Sequence, residues 1–131
     1  MSSFSHFEEI KAWQKARTLA KLIYDIVSNP RFNNDNRLRS QMLGSSGSIM
    51  DNIAEGQGRG GNKEFKQFLW IAKGSSSELR SQLYRSLDIG FIDEKTFDDL
   101  FNKANEIEKM IKGMINYLDK SEVKGIKYKN A

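Results

Sequence analysis

Apolar residues recur every three or four positions through most of this 131-residue chain, which is the spacing that places side chains on one face of a helix. Three breaks interrupt the pattern: Asn29-Pro30, the glycine-rich residues 56–61, and Gly90. The residue before a proline avoids the helical conformation, and glycine is favoured where helices end. The pattern therefore predicts four helices and, because few segments alternate as strands do, an all-α fold.

The predicted helices are joined by short connections, which favours an up-down-up-down antiparallel four-helix bundle over residues 1–120. Residues 121–131 carry three lysines but no helical periodicity, so we expect a flexible basic C-terminal tail there. The expected caps are Ser5 with Glu8 for helix 1, Asn34 or Asp35 for helix 2, Asn62 for helix 3 and Asp93 for helix 4, with Gly90 ending helix 3.

The chain carries more apolar residues than the core of one bundle requires. Helices 1 and 2 each have a second apolar stripe beside the core-facing one, and helix 3 has aromatic residues away from its core face. A patch of this size is unusual on a monomer, so we expect a homo-oligomer. The alternative is a broad core with off-centre helices. The residues assigned to a subunit interface are Leu19, Leu22, Ile26, Leu43, Met50, Trp70 and Tyr84.

Small residues interrupt helix 2, which we expect to end near Glu55. Gly44, Gly47 and Ser48 are poor helix formers. Their presence predicts that another backbone approaches helix 2 closely at this point.

The net charge of +4 is unevenly distributed. Residues 1–90 hold 13 Lys/Arg and 9 Asp/Glu, whereas residues 91–131 hold 8 of each. The basic excess therefore falls on the first three helices, which is compatible with an anionic partner. An ordinary solvated surface would explain the same total charge.

Helix 3 predicts a candidate nucleic-acid-binding stripe at helical spacing. Cations that neutralise phosphates and aromatic rings that stack on bases are the combination that nucleic-acid surfaces use. The alternative is that Trp70 and Tyr84 anchor a subunit interface, where aromatic residues are enriched. The stripe is Lys66, Trp70, Lys73, Ser77, Arg80 and Tyr84, and further basic candidates are Arg37, Arg39, Arg59 and Lys63.

Polar residues beside the core positions predict a structural network rather than a catalytic one. Asn52, Glu55 and Glu78 lie next to core positions, and Arg59 is expected to pair with one of the two carboxylates. The spacing Gly56-x-Gly58-x-x-Gly61 matches a dinucleotide-binding motif, but that motif follows a strand, and here a helix precedes it. We therefore expect no nucleotide at this corner and no enzyme activity.

The composition excludes several kinds of site and location. Cysteine is absent and the single histidine, His6, precedes the helices, so we expect no metal and no other cofactor. No apolar run reaches the length of a membrane span and no secretory leader is visible. We expect a cytoplasmic protein.

A motif runs through the glycine-rich corner and into helix 3. It consists of Asn52-Ile53-Ala54-Glu55-Gly56, then Arg59, then Phe65-x-x-Phe68-Leu69-x-Ile71-Ala72-x-Gly74-Ser75-x-x-Glu78. This motif, with the apolar spacing of the first helix, resembles the four-helix-bundle family often labelled ribosomal intervening-sequence protein. That family is related to the accessory variability determinant of diversity-generating retroelements, a pentameric, nucleic-acid-binding bundle.

The resemblance implies a four-helix bundle, a pentameric assembly and binding to RNA or DNA. It also implies an alternative function, as a scaffold or accessory subunit for another protein such as a reverse transcriptase. Co-purification with and without nuclease would separate the two, because a protein partner would be retained after the nucleic acid is removed.

Overall fold

The structure is a computed structural model that describes the backbone of residues 5–130 and the side chains of residues 5–121. Within that range it consists of helices and turns without strands, so the predicted all-α fold is confirmed. The backbone is helical through Asn130, beyond the predicted bundle end at residue 120, and the predicted flexibility of residues 121–131 stays a prediction. The α-helices are α1 (Lys11–Val27), α2 (Asn36–Gly58), α3 (Asn62–Asp88) and α4 (Glu94–Asn130), with 3-10 turns at Phe7–Glu9 and Pro30–Asn34.

Neighbouring helices in the chain are neighbours in space. α1 packs against α2 and α4, and α3 packs against the same two helices. The Ser45 hydroxyl in the first half of α2 donates to Gln82 in the last third of α3 at 2.6 Å. Near the other ends of the two helices Gly56 packs against Phe68, so α2 and α3 run antiparallel. Lys66 and Asp119 pair at 2.9 Å and set the same relation between α3 and α4. This is the predicted up-down-up-down bundle.

The core absorbs most of the apolar residues that were assigned to a subunit interface. Leu19 is 1% exposed and lies inside the single-chain core, so its assignment to an interface is wrong. Leu22, Ile26, Leu43 and Met50 are partly buried against the same core. These side chains widen the core of the single chain, which favours the alternative interpretation of the second stripes.

Two helix caps and one stop lie where the sequence predicts them. The Leu38 amide donates to Asp35 at 3.0 Å, which caps α2, and the Thr96 amide donates to Asp93 at 2.8 Å, which caps α4. Gly90 follows α3 with a φ of 77°, the left-handed conformation that ends many helices.

Two other caps differ from the prediction. The capping box at the N-terminus joins His6 and Glu9 rather than Ser5 and Glu8, and it opens a 3-10 turn. α1 then begins at Lys11, after the extended residue Ile10. Asn62 is the first residue of α3, and Gly61 occupies the cap position without a side-chain bond. A polar residue near a helix start does not by itself fix which residue becomes the cap.

The corner between α2 and α3 uses its glycines for different purposes. α2 continues to Gly58, three residues past the predicted end, and Gly60 makes the turn with a φ of 83°. Gly56 is still helical and buried, and a Cβ added there would lie 2.7 Å from the Cβ of Phe68. Gly56 therefore permits the close approach of α3 to α2, whereas Gly60 permits the reversal of the chain.

The substitution Gly56→Ala tests this close approach. We expect it to lower the free energy of unfolding by about 1–3 kcal/mol, because α3 must move to admit the methyl group. Gly58→Ala is the matched control, since a Cβ there meets nothing within 4 Å and the residue is helical. The control should stabilise by about 0.5–1 kcal/mol. Urea unfolding measures both, and equal effects of the two substitutions would contradict the packing account.

Candidate nucleic-acid interface

The basic and aromatic stripe of α3 lies along the seam with α4, and most of its side chains contact that helix. Lys66 pairs with Asp119 on α4 at 2.9 Å. At the other end of the stripe, the Tyr84 ring packs on Phe97 and Phe101 with centroid separations of 4.9 and 5.4 Å. The helical spacing therefore identified a real face of α3, but most of that face packs against α4.

The centre of this seam is a hydrogen-bonded carboxylate. Glu108 on α4 accepts bonds from Ser77 at 2.6 Å and Ser76 at 3.0 Å. The Arg80 guanidinium donates to both Glu108 oxygens, at 3.0 and 2.8 Å. The two charged side chains are only 27% and 15% exposed. Arg80 is therefore a structural residue of the seam, and its predicted role as a free phosphate-binding residue is not supported by its position.

The ionisation of Glu108 reflects opposing influences. Burial raises the pKa of its carboxyl, whereas bonds from Ser77, Ser76 and Arg80 lower it, and the net result is a pKa below the ordinary value. A depressed pKa means that folding favours the ionised carboxylate. The resulting stabilisation is complete above the ordinary pKa and is lost as the pH falls through the pKa of the folded protein.

Glu108→Gln tests this seam. Removing the charge that accepts from Arg80 should lower the free energy of unfolding at pH 7 by about 1–3 kcal/mol, and the difference from wild type should shrink in acid. Glu106→Gln is the control, because its pair with Lys15 is about half exposed and should contribute little. Urea unfolding from pH 7 to pH 3 measures both, and a pH-independent difference for Glu108→Gln would count against the ionised seam.

An exposed tryptophan lies on the outer edge of the same seam. Trp70 retains 49% of its surface. The Lys112 ammonium of α4 lies 4.6 Å from the centroid of its ring, and the Lys73 ammonium of α3 lies 5.8 Å away. Among the described residues neither lysine forms an ion pair with an acid. The Trp70 ring and two lysines without an acidic partner therefore lie next to one another on the surface.

Lys112 is a residue that sequence reasoning missed. It belongs to residues 91–131, which carry no net charge, so the charge distribution assigned it no role. Lys109 and Lys112 are three residues apart on α4 and share a helix face, which was a readable pattern. The sequence does not show the register of α4 against α3, which brings this face of α4 beside Trp70.

The other predicted cations do not form one surface. Arg39 donates to the Val27 carbonyl at 2.8 Å and closes the corner between α1 and α2. Arg59 pairs with Glu55 at 3.2 Å. Arg37 and Lys63 are exposed, and in the part of the chain described neither forms an ion pair. Arg37 and Arg59 lie at opposite ends of α2, about 33 Å apart at 1.5 Å per residue.

The predicted polar network is only partly assembled. Asn52 donates to the carbonyl and hydroxyl of Ser48 at 2.8 and 2.9 Å, and Ser48 bonds Ser75 of α3 at 2.9 Å. Glu78 lines the groove between α2 and α3 instead, and among the described residues no ion pair joins Glu78 to Arg59, which pairs with Glu55. Asn52 thus helps to join α2 to α3, whereas the two glutamates do not form a common site.

A shallow polar groove of about 410 Å³ runs between α2 and α3. Gly44 lines it, and a Cβ added at Gly44, Gly47 or Gly74 would meet nothing within 4 Å. No described part of this chain therefore approaches Gly44 or Gly47 closely, and the predicted approach of another backbone is not met within the chain. The groove is lined by Gln41, Gly44, Ser45, Ser48, Ser75, Glu78, Ser81, Gln82 and Arg85.

Two kinds of feature are absent from the described residues. No three His, Asp or Glu side chains there come close enough together to hold a metal ion. None of the described helices combines the length and apolar character needed to cross a membrane.

The arrangement defines a four-helix-bundle protein with a polar seam and an outer aromatic-basic edge. Residues 8–113 match the model of the family described as 23S rRNA-intervening sequence protein, and the chain belongs to that family. Its structure is similar to the crystal structure of a protein with unknown function from the S23 ribosomal protein family of Bacteroides thetaiotaomicron VPI-5482. The TM-score is 0.73 at 22% identity, covering 79% of this chain and 97% of that one. At this identity the likeness shows a shared fold alone. No curated protein matches the sequence significantly.

Proposed function

We propose that this chain is a non-catalytic, homo-oligomeric protein that binds RNA or DNA electrostatically. The observation that carries the proposal is the position of Lys73 and Lys112 beside the Trp70 ring. Helical spacing adds Lys63, about two turns before Trp70 on α3, and Lys109, about one turn before Lys112 on α4. We call these five residues the Trp70 surface. Its four lysines have no acidic partner among the described residues. Lysines in this state are available to displace the counterions of a phosphate backbone.

Charge and family both support this assignment. The first three helices carry the whole net charge of +4, and Lys109 and Lys112 extend the basic surface from α3 onto α4. The family description names a sequence that interrupts 23S rRNA, which makes RNA the first ligand to test. The partly buried pairs Lys66–Asp119 and Arg80–Glu108 hold the surface in place, but contribute little free charge.

Two open helix glycines support self-association: Gly44 lines the α2–α3 groove, and Gly74 is exposed on α3 next in sequence to Ser75 of its lining. Glycine inside a helix costs about 1 kcal/mol relative to alanine, and Gly44 and Gly74 gain no contact within the chain that would offset this cost. Ile71 on the same helix as Gly74 is 51% exposed. A helix of a second copy could approach these positions closely. The resemblance to the retroelement accessory protein favours a closed ring of five.

Lys112→Gln tests nucleic-acid binding. We expect weaker binding to a mixed RNA and DNA pool at low salt, with the slope of log affinity against log salt reduced by about 1. Lys95→Gln is the control, because Lys95 is also an exposed lysine of α4 but lies about 25 Å away at 1.5 Å per residue. Fluorescence anisotropy measures both. Absence of wild-type binding at low salt would refute the proposed function.

Gly74→Leu tests the proposed self-association. The larger side chain has room within the chain, so the helical circular dichroism should be unchanged, whereas the assembly should dissociate towards the 15.0 kDa chain mass. Gly113→Leu is the control, since Gly113 is an equally open glycine on α4. Light scattering after gel filtration gives the masses. A wild-type protein that is monomeric throughout the micromolar range would contradict self-association.

A further inference from the structure

Trp70 has the largest ring system among the exposed apolar side chains of the described residues, and the core does not hold it in place. Trp70 lies outside the core, with nearly half of its area exposed, yet two ammonium groups border its ring. A large apolar ring in water gains little from folding. Its position between Lys73 and Lys112 matches the chemistry of a nucleotide, which offers a flat base and a phosphate.

The other tryptophan provides a contrast within the same molecule. Trp13 also has a cation nearby, the Arg17 guanidinium at 5.8 Å. However, Trp13 packs edge-on against Phe7 at 5.0 Å and is partly buried against the core. The packing of Trp13 against Phe7 and the core therefore explains its presence, whereas Trp70 packs against no comparable part of the core.

We infer that the Trp70 surface binds single-stranded nucleic acid, with an unpaired base stacked on the Trp70 ring and its phosphates on Lys73 and Lys112. The inference rests on the proposed function and narrows it to a class of ligand. In a duplex the faces of the bases are covered by their neighbours, so the ring of Trp70 could only meet the backbone. An unpaired base has a free face, and stacking on an aromatic side chain tolerates any sequence.

The energies allow the exchange that this binding requires. The Lys112 ammonium lies over the ring in a solvent-exposed cation–π contact, which contributes less than the stacking of a base on an aromatic ring. The lysine stem is flexible, so a base can take the place of the ammonium group while that group moves to a phosphate.

The register of the seam keeps this site in place. Glu108 and Lys112 are four residues apart and share a face of α4, and Glu108 is fixed by the bonds from Ser77 and Arg80. Trp70 and Lys73 lie one to two turns before Ser77 on α3. The antiparallel pairing therefore brings Lys112 to Trp70 before any ligand arrives, which lowers the ordering cost of binding.

The test uses the Trp13→Phe variant of the full chain, because the chain has two tryptophans and this variant leaves Trp70 as the only one. The variant is titrated at low salt with a single-stranded oligonucleotide and, separately, with the corresponding duplex. A length of about 15 nucleotides matches the size of a small single-strand site. Anisotropy of the labelled oligonucleotide gives affinity, and the emission of Trp70 reports contact with a base. We expect tighter binding of the single strand and quenching of Trp70 by the single strand alone.

Two substitutions at the ring complete the test. Trp70→Leu keeps an apolar side chain but cannot stack, and it should weaken single-strand binding by about 5- to 150-fold, the equivalent of 1–3 kcal/mol for one stacked base. Trp70→Phe keeps an aromatic face and should retain most of the affinity. Duplex binding should be the same for all three proteins.

The outcomes separate this inference from the proposed function. No binding of either oligonucleotide would refute the proposed function itself. Equal binding of strand and duplex, with no effect of Trp70→Leu, would leave the proposed function standing and overturn the inference. A changed oligomer mass for Trp70→Leu, with unchanged affinity per chain, would make Trp70 a subunit contact and would also overturn it.

Discussion

The bonds that Glu108 accepts from α3 are the interaction on which the candidate site depends. A carboxylate placed between two helices must be satisfied where it stands, because an unpaired buried charge is strongly destabilising. Ser76, Ser77 and Arg80 meet it together, and a shift of one helical turn would break all of these bonds. The seam therefore has one favoured register. That register sets Lys112 over Trp70.

The apolar core imposes a looser constraint. Its broad stripes bring the four helices together and exclude water, but apolar contacts are non-directional and tolerate sliding. Position along the helices is set by polar and steric features. On one side of α3 these are the Glu108 bonds, and on the other they are the Ser48–Ser75 bond and the close approach at Gly56. Core and seam thus have separate roles, one in stability and the other in register.

The sequence predicted the fold well because helical periodicity, short connections and helix stops all pointed to the same architecture. Asp35, Asp93 and Gly90 were assigned correctly, since each acts through its own local backbone. The off-core stripes were misinterpreted at Leu19, because periodicity gives the angle of a residue around a helix but not the tilt of that helix in the core. The width of the core depends on that tilt.

The candidate site was predicted in part. Trp70 and Lys73 were identified from spacing on α3, but Arg80 on the same stripe is held by Glu108 and Arg39 by the α1–α2 corner. Lys112 was missed because it comes from a different helix with no charge excess. A stripe on one helix can be read from a sequence, whereas the helix that covers it depends on a register set by contacts between distant residues.

The central claim is that the α3–α4 seam presents Trp70 and its lysines to nucleic acid. Photocross-linking of the wild-type protein to a single-stranded RNA that carries 4-thiouridine, followed by peptide mass spectrometry, tests it most directly. The account predicts adducts within residues 63–73 of α3 and residues 109–112 of α4. Adducts confined to α1, or to the α2–α3 groove, would contradict it.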